Sequence, residues 1–251
     1  MTIALPARAK LNLDLMVTGR RSDGLHELRT RMQAVELHDL LEVQPAEATE
    51  LVLSGLPIPD DKPNTILAAH SALELASGRK LPSRFRLEKR IPPGSGMGGA
   101  SSDAAAALRA MVALYRLTVD IAPIAAHIGS DVSFFLGGGA ALVEGAGEKV
   151  TRVPVEERWF AIAWPGFEVS TTAVYRAWDD VGGDGPNQLR RAAARVDERV
   201  DEFAGRLGAR WQMTGSGSAF FMSCGSREQA EGATRKLECW TAVTRATRAW
   251  A

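Results

Sequence analysis

Leu11, Leu13, Leu15 and Val17 alternate with Asn12, Asp14 and Met16, the period-two pattern of a half-buried strand. A turn-rich segment, Gly19–Gly24, follows it. A second apolar strand is expected through Met32–Val43 and a short one at Leu51–Leu53. Asn64–Ser77 predicts a helix, with Gly78 placed to end it. Phe85, Leu87, Lys89 and Ile91 share one face of a strand that runs directly into the glycines of Pro92–Gly99. Ala100–Tyr115, rich in Ala and Leu and free of Gly and Pro, predicts a long helix, and Ile121–Ile128 a shorter one. Gly137–Glu148 has too many glycines for a helix and reads as a strand–turn–strand pair.

The pattern changes near Val150. Trp159–Trp164 is a buried-strand candidate, and Thr171–Asp179 and Asn187–Leu207 read as helices. Trp211–Met213 and Ala219–Cys224 flank a tight Gly-Ser-Gly-Ser turn, followed by a helix at Arg227–Leu237 and a strand at Ala242–Ala249. The order strand–helices–strand–strand–helix–strand suits a ferredoxin-like split βαβ layer. An α+β protein of two lobes, residues 1–150 and 151–251, is expected.

Composition narrows the function. The 30 basic and 30 acidic side chains cancel, so no overall field recruits nucleic acid or an anionic membrane. An anionic ligand must be held by a local site. Cys224 and Cys239 are too few for a disulfide framework or a cysteine-rich metal site and read as reduced core thiols. Pro6 and two cations interrupt the start of the chain where a signal peptide needs an apolar core, and Gly137–Gly139 break the longest apolar stretch, Val132–Val143. A cytoplasmic protein is expected.

Four segments carry possible chemistry. Pro92-Pro-Gly-Ser-Gly-Met-Gly-Gly-Ala-Ser-Ser-Asp103 lies between a strand and a long helix. Its glycines let the backbone approach an anion, and the helix start offers N–H groups and a partial positive charge. The same residues also suit a tight turn with serine capping. It is not a Walker A loop, because Ala100 follows Gly99 where Lys is required. Gly94, Gly96 and Gly99 fit G-x-G-x-x-G, but Asp120 sits at a helix start rather than at the end of a second strand, against a dinucleotide fold. Lys10 and Asn12 share one face of the first strand, which is either a site or a solvated sheet face. Asp131 follows a Gly-Ser turn and precedes an apolar run, the place of a helix cap. Thr214-Gly-Ser-Gly-Ser218 alone is a hairpin turn.

Together and in this order, these segments resemble the three motifs of the GHMP kinase superfamily, which includes galactokinase and homoserine, mevalonate and phosphomevalonate kinases. Pro6-Ala-Arg-Ala-Lys-Leu-Asn-Leu13, Gly19-Arg-Arg-Ser-Asp-Gly-Leu-His26, Pro63-Asn-Thr-Ile66, Gly129-Ser-Asp-Val-Ser-Phe-Phe135 and Trp164-Pro-Gly166 are similar to one branch of it. That branch phosphorylates a cytidine diphosphate-linked methylerythritol on the non-mevalonate route to isoprenoids. The resemblance covers nearly the whole chain. It implies an N-terminal ribosomal-protein-S5-like lobe and a C-terminal ferredoxin-like lobe.

It also implies roles, residue by residue. Lys10 and Asp131 stand at the positions of the catalytic pair. ATP phosphates would rest on Pro93, Gly94, Ser95, Gly96, Met97 and Gly98, and on Gly99, Ala100, Ser101, Ser102 and Asp103 where the helix begins. Asn64, Ile66 and Lys89 would line the nucleotide pocket. His26 would read the cytosine, Tyr175 would stack on it, and Asn12, Thr171, Gly215 and Ser216 fall at substrate-side positions. Leu25 replaces a tyrosine of the family's pattern, removing one aromatic partner for the base. Mg²⁺ would accompany ATP, with Asp131 and Ser102 as candidate ligands. Two alternatives remain: a GHMP kinase for another small alcohol, and a non-catalytic relative that binds ATP or sugar. Asp131 and Asp23-Gly-Leu-His26 speak against homoserine kinase, and retention of both Lys10 and Asp131 speaks against a silent relative.

Overall fold

The computed structural model describes residues 1–58 and 63–250. Its element order is β1 (Ile3–Asn12), β2 (Met16–Arg20), β3 (His26–Pro45), β4 (Glu50–Gly55), α1 (Thr65–Ser77), β5 (Ser83–Lys89), α2 (Gly99–Tyr115), α3 (Ala122–Ile128), α4 (Val132–Gly137), β6 (Ala140–Gly145) and β7 (Lys149–Val153). There follow β8 (Trp159–Trp164), α5 (Thr171–Val181), α6 (Arg190–Val196), α7 (Arg199–Leu207), β9 (Gln212–Met213), β10 (Phe220–Cys224), α8 (Arg227–Thr234) and β11 (Trp240–Arg245). Strands β1–β7 pair among themselves, and β8–β11 among themselves. No described helix is long and apolar enough to cross a membrane.

By compactness the chain divides into two units interleaved in sequence: residues 1–9, 38–93 and 98–138, and residues 10–37, 94–97 and 139–251. In the first unit, β4 runs parallel to β5, and β5 antiparallel to the second half of β3. Asn64 caps α1 by accepting from the Ile66 N–H at 2.9 Å, and Gly78 ends it with φ of 63°. Helix α2 is buried along most of its length, so its alanines serve close packing. Asp120 Oδ1 accepts from Ala122 N at 3.0 Å, a helix-start role.

In the second unit, the first half of β3 pairs with β2 and β6, and β7 with β6, all antiparallel. The remaining strands form an antiparallel sheet in the order β11-β8-β10-β9. With two helical connections, that is the expected ferredoxin-like arrangement. Ala163 and Phe220 pack with Val174, Leu189, Ala192 and Phe203 of the helical layer. Phe160 and Ile162, on the opposite face of β8, are buried as well. Burial on both faces explains the unbroken apolar run at Trp159–Trp164.

Several boundaries differ from the sequence pattern. The first strand starts at Ile3 and ends at Asn12. Leu15 then makes a single bridge to Asn187 before β2 begins, so the alternation through Val17 spans two strands. The helix expected over Asn187–Leu207 breaks at Asp197, whose Oδ1 accepts from Arg199 N at 3.1 Å. Val132–Gly137 forms a short helix whose N-cap position is Asp131, where the sequence suggested a cap.

Candidate active site

Three sequence-distant segments meet inside the second unit. Strand β1 ends in Lys10 and Asn12, both almost fully buried, and Lys10 Nζ donates to Asn12 Oδ1. Asn12 Nδ2 donates to Thr30 Oγ1 at 2.8 Å, and Asn12 N to Thr214 Oγ1 at 2.9 Å. The two residues therefore sit on a buried, hydrogen-bonded face rather than a solvated one.

The tip of the glycine-rich loop joins them. Lys10 N donates to Met97 O at 2.9 Å, and Ala219 N to Ser95 O at 3.0 Å. A Cβ on Gly96 would lie 2.4 Å from the Thr214 carbonyl oxygen, so only glycine permits this approach. A Cβ on Gly215 would lie 2.8 Å from Gly96 O and 3.1 Å from Lys10 Nζ. Asn187 Nδ2 donates to Met213 O at 2.8 Å and Gly215 O at 2.9 Å, pinning the Thr214–Ser218 segment from behind. Ser216 Oγ lies 2.8 Å from Thr171 Oγ1.

Gly94, Gly96 and Gly98 all have φ between 62° and 77°, a left-handed backbone that favours glycine. Gly98 is the N-cap of α2, and no side chain caps that helix. Ser101 and Ser102 lie inside its first turn. The serine-capped turn is thus not what forms at this helix start.

The first unit holds the other half of the predicted residues. Asn64 and Ile66 form the start of α1, and Thr65 Oγ1 donates to Ala100 O at 2.7 Å. Lys89 is buried and pairs with two carboxylates: Asp103 Oδ2 at 2.8 Å, and Asp39. Burial by itself would lower the Lys89 pKa, but Asp103 and Asp39 outweigh it and raise it. Burial pushes Asp103 up to about 7 against the pull of Lys89, with Asp39 adding to the rise. Asp39 Oδ1 also accepts from Arg90 N and Ile91 N, fixing the backbone that leads into the loop. Asp131 occupies the N-cap position of α4 without capping it through its side chain.

A third group lies near the other end of β3. His26 Nε2 is 2.6 Å from Asp179 Oδ1, and its ring stacks on Tyr175 at 5.0 Å between centroids. Leu25 is exposed in the turn before it.

Residues 64–139 match the family model described as the GHMP kinases N terminal domain. The 4-diphosphocytidyl-2-C-methyl-D-erythritol kinase of Thermus thermophilus is 38% identical over 98% of this chain and 94% of its own length. The chain belongs to the 4-diphosphocytidyl-2-C-methyl-D-erythritol kinase family. The namesake enzyme of Carboxydothermus hydrogenoformans is 40% identical over 78% of this chain and 70% of its own. A crystal structure titled 4-(cytidine 5'-diphospho)-2C-methyl-D-erythritol kinase superimposes with a TM-score of 0.84 at 34% identity, covering 97% of this chain and 99% of that one. Methanococcus jannaschii mevalonate kinase, at 13% identity and a TM-score of 0.68, shares the fold over 99% of this chain and 98% of its own.

Within this family member, the structure brings Lys10, Asn12, Thr171, Gly215, Ser216 and the loop tip into one bonded group. His26 and Tyr175 form a second group, and Lys89 with Asp103 a third. Asp39, Asn187 and Asp179 were not foreseen from sequence. Asp39 had one signal, a carboxylate inside an apolar strand. Asn187 and Asp179 had none, since their partners are distant in sequence.

Proposed function

We propose that this chain transfers the γ-phosphoryl group of ATP to the 2-hydroxyl of 4-diphosphocytidyl-2-C-methyl-D-erythritol, on the non-mevalonate route to isoprenoids. Support comes above all from the meeting of Lys10, Ser95–Met97 and Thr214–Ser218 in one bonded group, in a chain whose relatives carry that kinase name. The loop Pro93–Asp103 receives the ATP phosphates, and Asn64, Ile66 and Lys89 belong to the nucleotide side. Lys89 acts there through Asp103 and Asp39, which hold its ammonium. By strand pairing, which changes after β7, residues 1–150 are taken as the ATP-binding lobe and 151–251 as the second lobe, whereas compactness groups residues 10–37, 94–97 and 139–150 with the latter.

The chemistry needs an aligned alcohol, neutralised phosphate charge and a proton acceptor. Asp131 orients the hydroxyl and takes its proton as the oxygen bonds to the γ-phosphorus and the bond to the β-phosphate oxygen breaks. Lys10 neutralises charge on the transferring group, with Asn12 fixing its ammonium. Mg²⁺, a hard cation that suits oxygen donors, would supply further charge neutralisation when bound with ATP, and the Ser102 hydroxyl would be the protein oxygen offered to it. Thr171, Gly215 and Ser216 face the alcohol. His26 reads the cytosine, with Tyr175 and the aliphatic Leu25 beside the ring.

The reading is tested by incubating the protein with ATP and each of three alcohols: the cytidine-linked substrate, homoserine and mevalonate. Phosphorus NMR should show a new monoester on the tertiary alcohol of the first, with matching ADP. Turnover confined to homoserine or mevalonate sinks the assignment.

Two substitutions probe its parts. Gly96→Ala drives a methyl group into the Thr214 carbonyl at a φ of 77°. ATP affinity should fall about tenfold or more, on the scale of ~1.4 kcal/mol per decade, in a protein that titration and circular dichroism still show folded. Tyr175→Ala removes an aromatic face worth about 1–3 kcal/mol against a base. The KM for the cytidine substrate should rise about tenfold with the ATP KM unchanged. An equal rise in both KM values would mark Tyr175 as packing only.

A further inference from the structure

We propose that Asp179 is a specificity-positioning residue: it fixes His26 as a hydrogen-bond acceptor for the exocyclic amine of the nucleobase. This rests on the cytidine reading above and deepens it.

His26 opens β3, and Asp179 lies near the end of α5. His26 Nε2 lies 2.6 Å from Asp179 Oδ1, while Arg20 Nη1 lies 3.2 Å from Asp179 Oδ2. Each carboxylate oxygen thus has a cationic or N–H partner, and the carboxylate cannot turn without losing one. The His26 side chain is only 8% exposed although Asp179 is 28% exposed. Tyr175 stacks on the ring with an interplanar angle of 25°, and Trp178 meets it edge-on at 5.8 Å and 83°. Tyr175, Trp178 and Asp179 all belong to α5, so one helix holds the imidazole by a face, an edge and a nitrogen.

A carboxylate accepts hydrogen bonds and donates none, so the ring proton at that contact sits on Nε2. The His26 hydrogen bond holds the Asp179 pKa down, ahead of Arg20, and keeps it an acceptor at neutral pH. In the neutral imidazole Nδ1 then carries the lone pair. That atom is the ring's one remaining site for an in-plane hydrogen bond, and it accepts. Cytosine presents an amine at C4, whereas uracil presents a carbonyl oxygen there. An accepting Nδ1 pairs with the first and repels the second, so Asp179, two steps from the base, selects cytidine over uridine.

The experiment uses the whole protein in wild-type, Asp179→Ala and Asp179→Asn forms, with ring-¹⁵N-labelled histidine. In the wild type, His26 should show a protonated Nε2 and an unprotonated Nδ1 at pH 7.5, assigned by loss of the signal in His26→Asn. Asp179→Ala should give a tautomer mixture. With ATP saturating, the KM for the cytidine-linked alcohol should rise about three- to tenfold in Asp179→Ala, the range of one hydrogen bond. Preference over the uridine-linked analogue should shrink by at least the same factor, with kcat and the ATP KM unchanged. Asp179→Asn keeps the shape but loses the fixed acceptor, and it should shrink the preference too. A helix-packing role would lower the melting temperature and leave the cytidine-to-uridine ratio alone. An unchanged ratio in both variants, or a protonated Nδ1 in the wild type, overturns the proposal. If the wild type phosphorylates neither alcohol, the activity reading fails by itself. Calorimetry with cytidine and uridine diphosphates then makes the same comparison, and equal loss of both ligands in Asp179→Ala overturns the tautomer role.

Discussion

Asp131→Asn should lower kcat by about two to four orders of magnitude, the usual contribution of a positioned acid–base group. Asparagine is nearly the same shape and is itself at home at a helix start. The melting temperature should therefore stay within a degree or two of the wild type. ATP affinity should also hold, because the phosphates are assigned to Pro93–Asp103. Single-turnover phosphoryl transfer, measured with both substrates saturating, isolates the chemical step from binding. A folded Asp131→Asn protein with most of its activity would remove this carboxylate from the mechanism.

The parts of the fold that sequence disclosed are those whose cause is local. Helix α1 was bounded correctly because Asn64 and Gly78 are cap residues that act within a few positions of themselves. Strand β5 was legible because Phe85, Leu87 and Lys89 alternate into the interior. The β8–β11 layer followed from the order of its elements, since two crossovers of helical length leave few ways to place four strands. Helix α4 was legible only at its start, through Asp131 at a cap position: six residues are less than two turns, too few for a 3.6-residue period to show. The break at Asp197 left only a weak trace, because one aspartate inside a charged helix is also an ordinary surface residue.

The site divides in the same way. Its glycines and serines announce themselves through spacing, but spacing alone could not separate an anion loop from a capped turn. In the structure Gly98 caps α2 with a left-handed backbone and no side chain, so the serines are not its cap. The partners that fix the site are long-range contacts without a local signature. Asp179 meets His26 across 153 positions, and Asp39 meets Lys89 across 50. Lys89 illustrates the consequence. A lysine beside a phosphate loop suggests a direct phosphate contact, yet its ammonium is held by two buried carboxylates of the same unit.

Those carboxylates should not be equivalent. Asp39→Ala is expected to destabilise the protein by about 3–5 kcal/mol, the scale for removing one partner of a buried ion pair. It deprives Lys89 of a partner and also leaves Arg90 N and Ile91 N without their acceptor. For a chain of this size that corresponds to a fall in melting temperature of roughly 10 °C. Asp103→Asn should cost much less. Its cluster has one cation and two carboxylates, and burial pushes Asp103 up to about 7, marking it as the surplus charge. Its Oδ1 is buried with no hydrogen-bond partner, so neutralising it forfeits no bond there. The sign of the pH dependence follows from the same shift. A folded-state pKa raised above the ordinary 3.8 means the folded protein retains a proton that the unfolded chain releases. This group's contribution to stability therefore falls as pH rises from about 4 to about 7 and is constant above that. Denaturant titrations of the wild type and Asp103→Asn should converge at the lower end of that window and diverge in favour of the mutant towards pH 7. A wild type that gains on the mutant across that range, or an Asp39→Ala protein no less stable than Asp103→Asn, would show that Asp103 is the needed partner of Lys89 and Asp39 the surplus one.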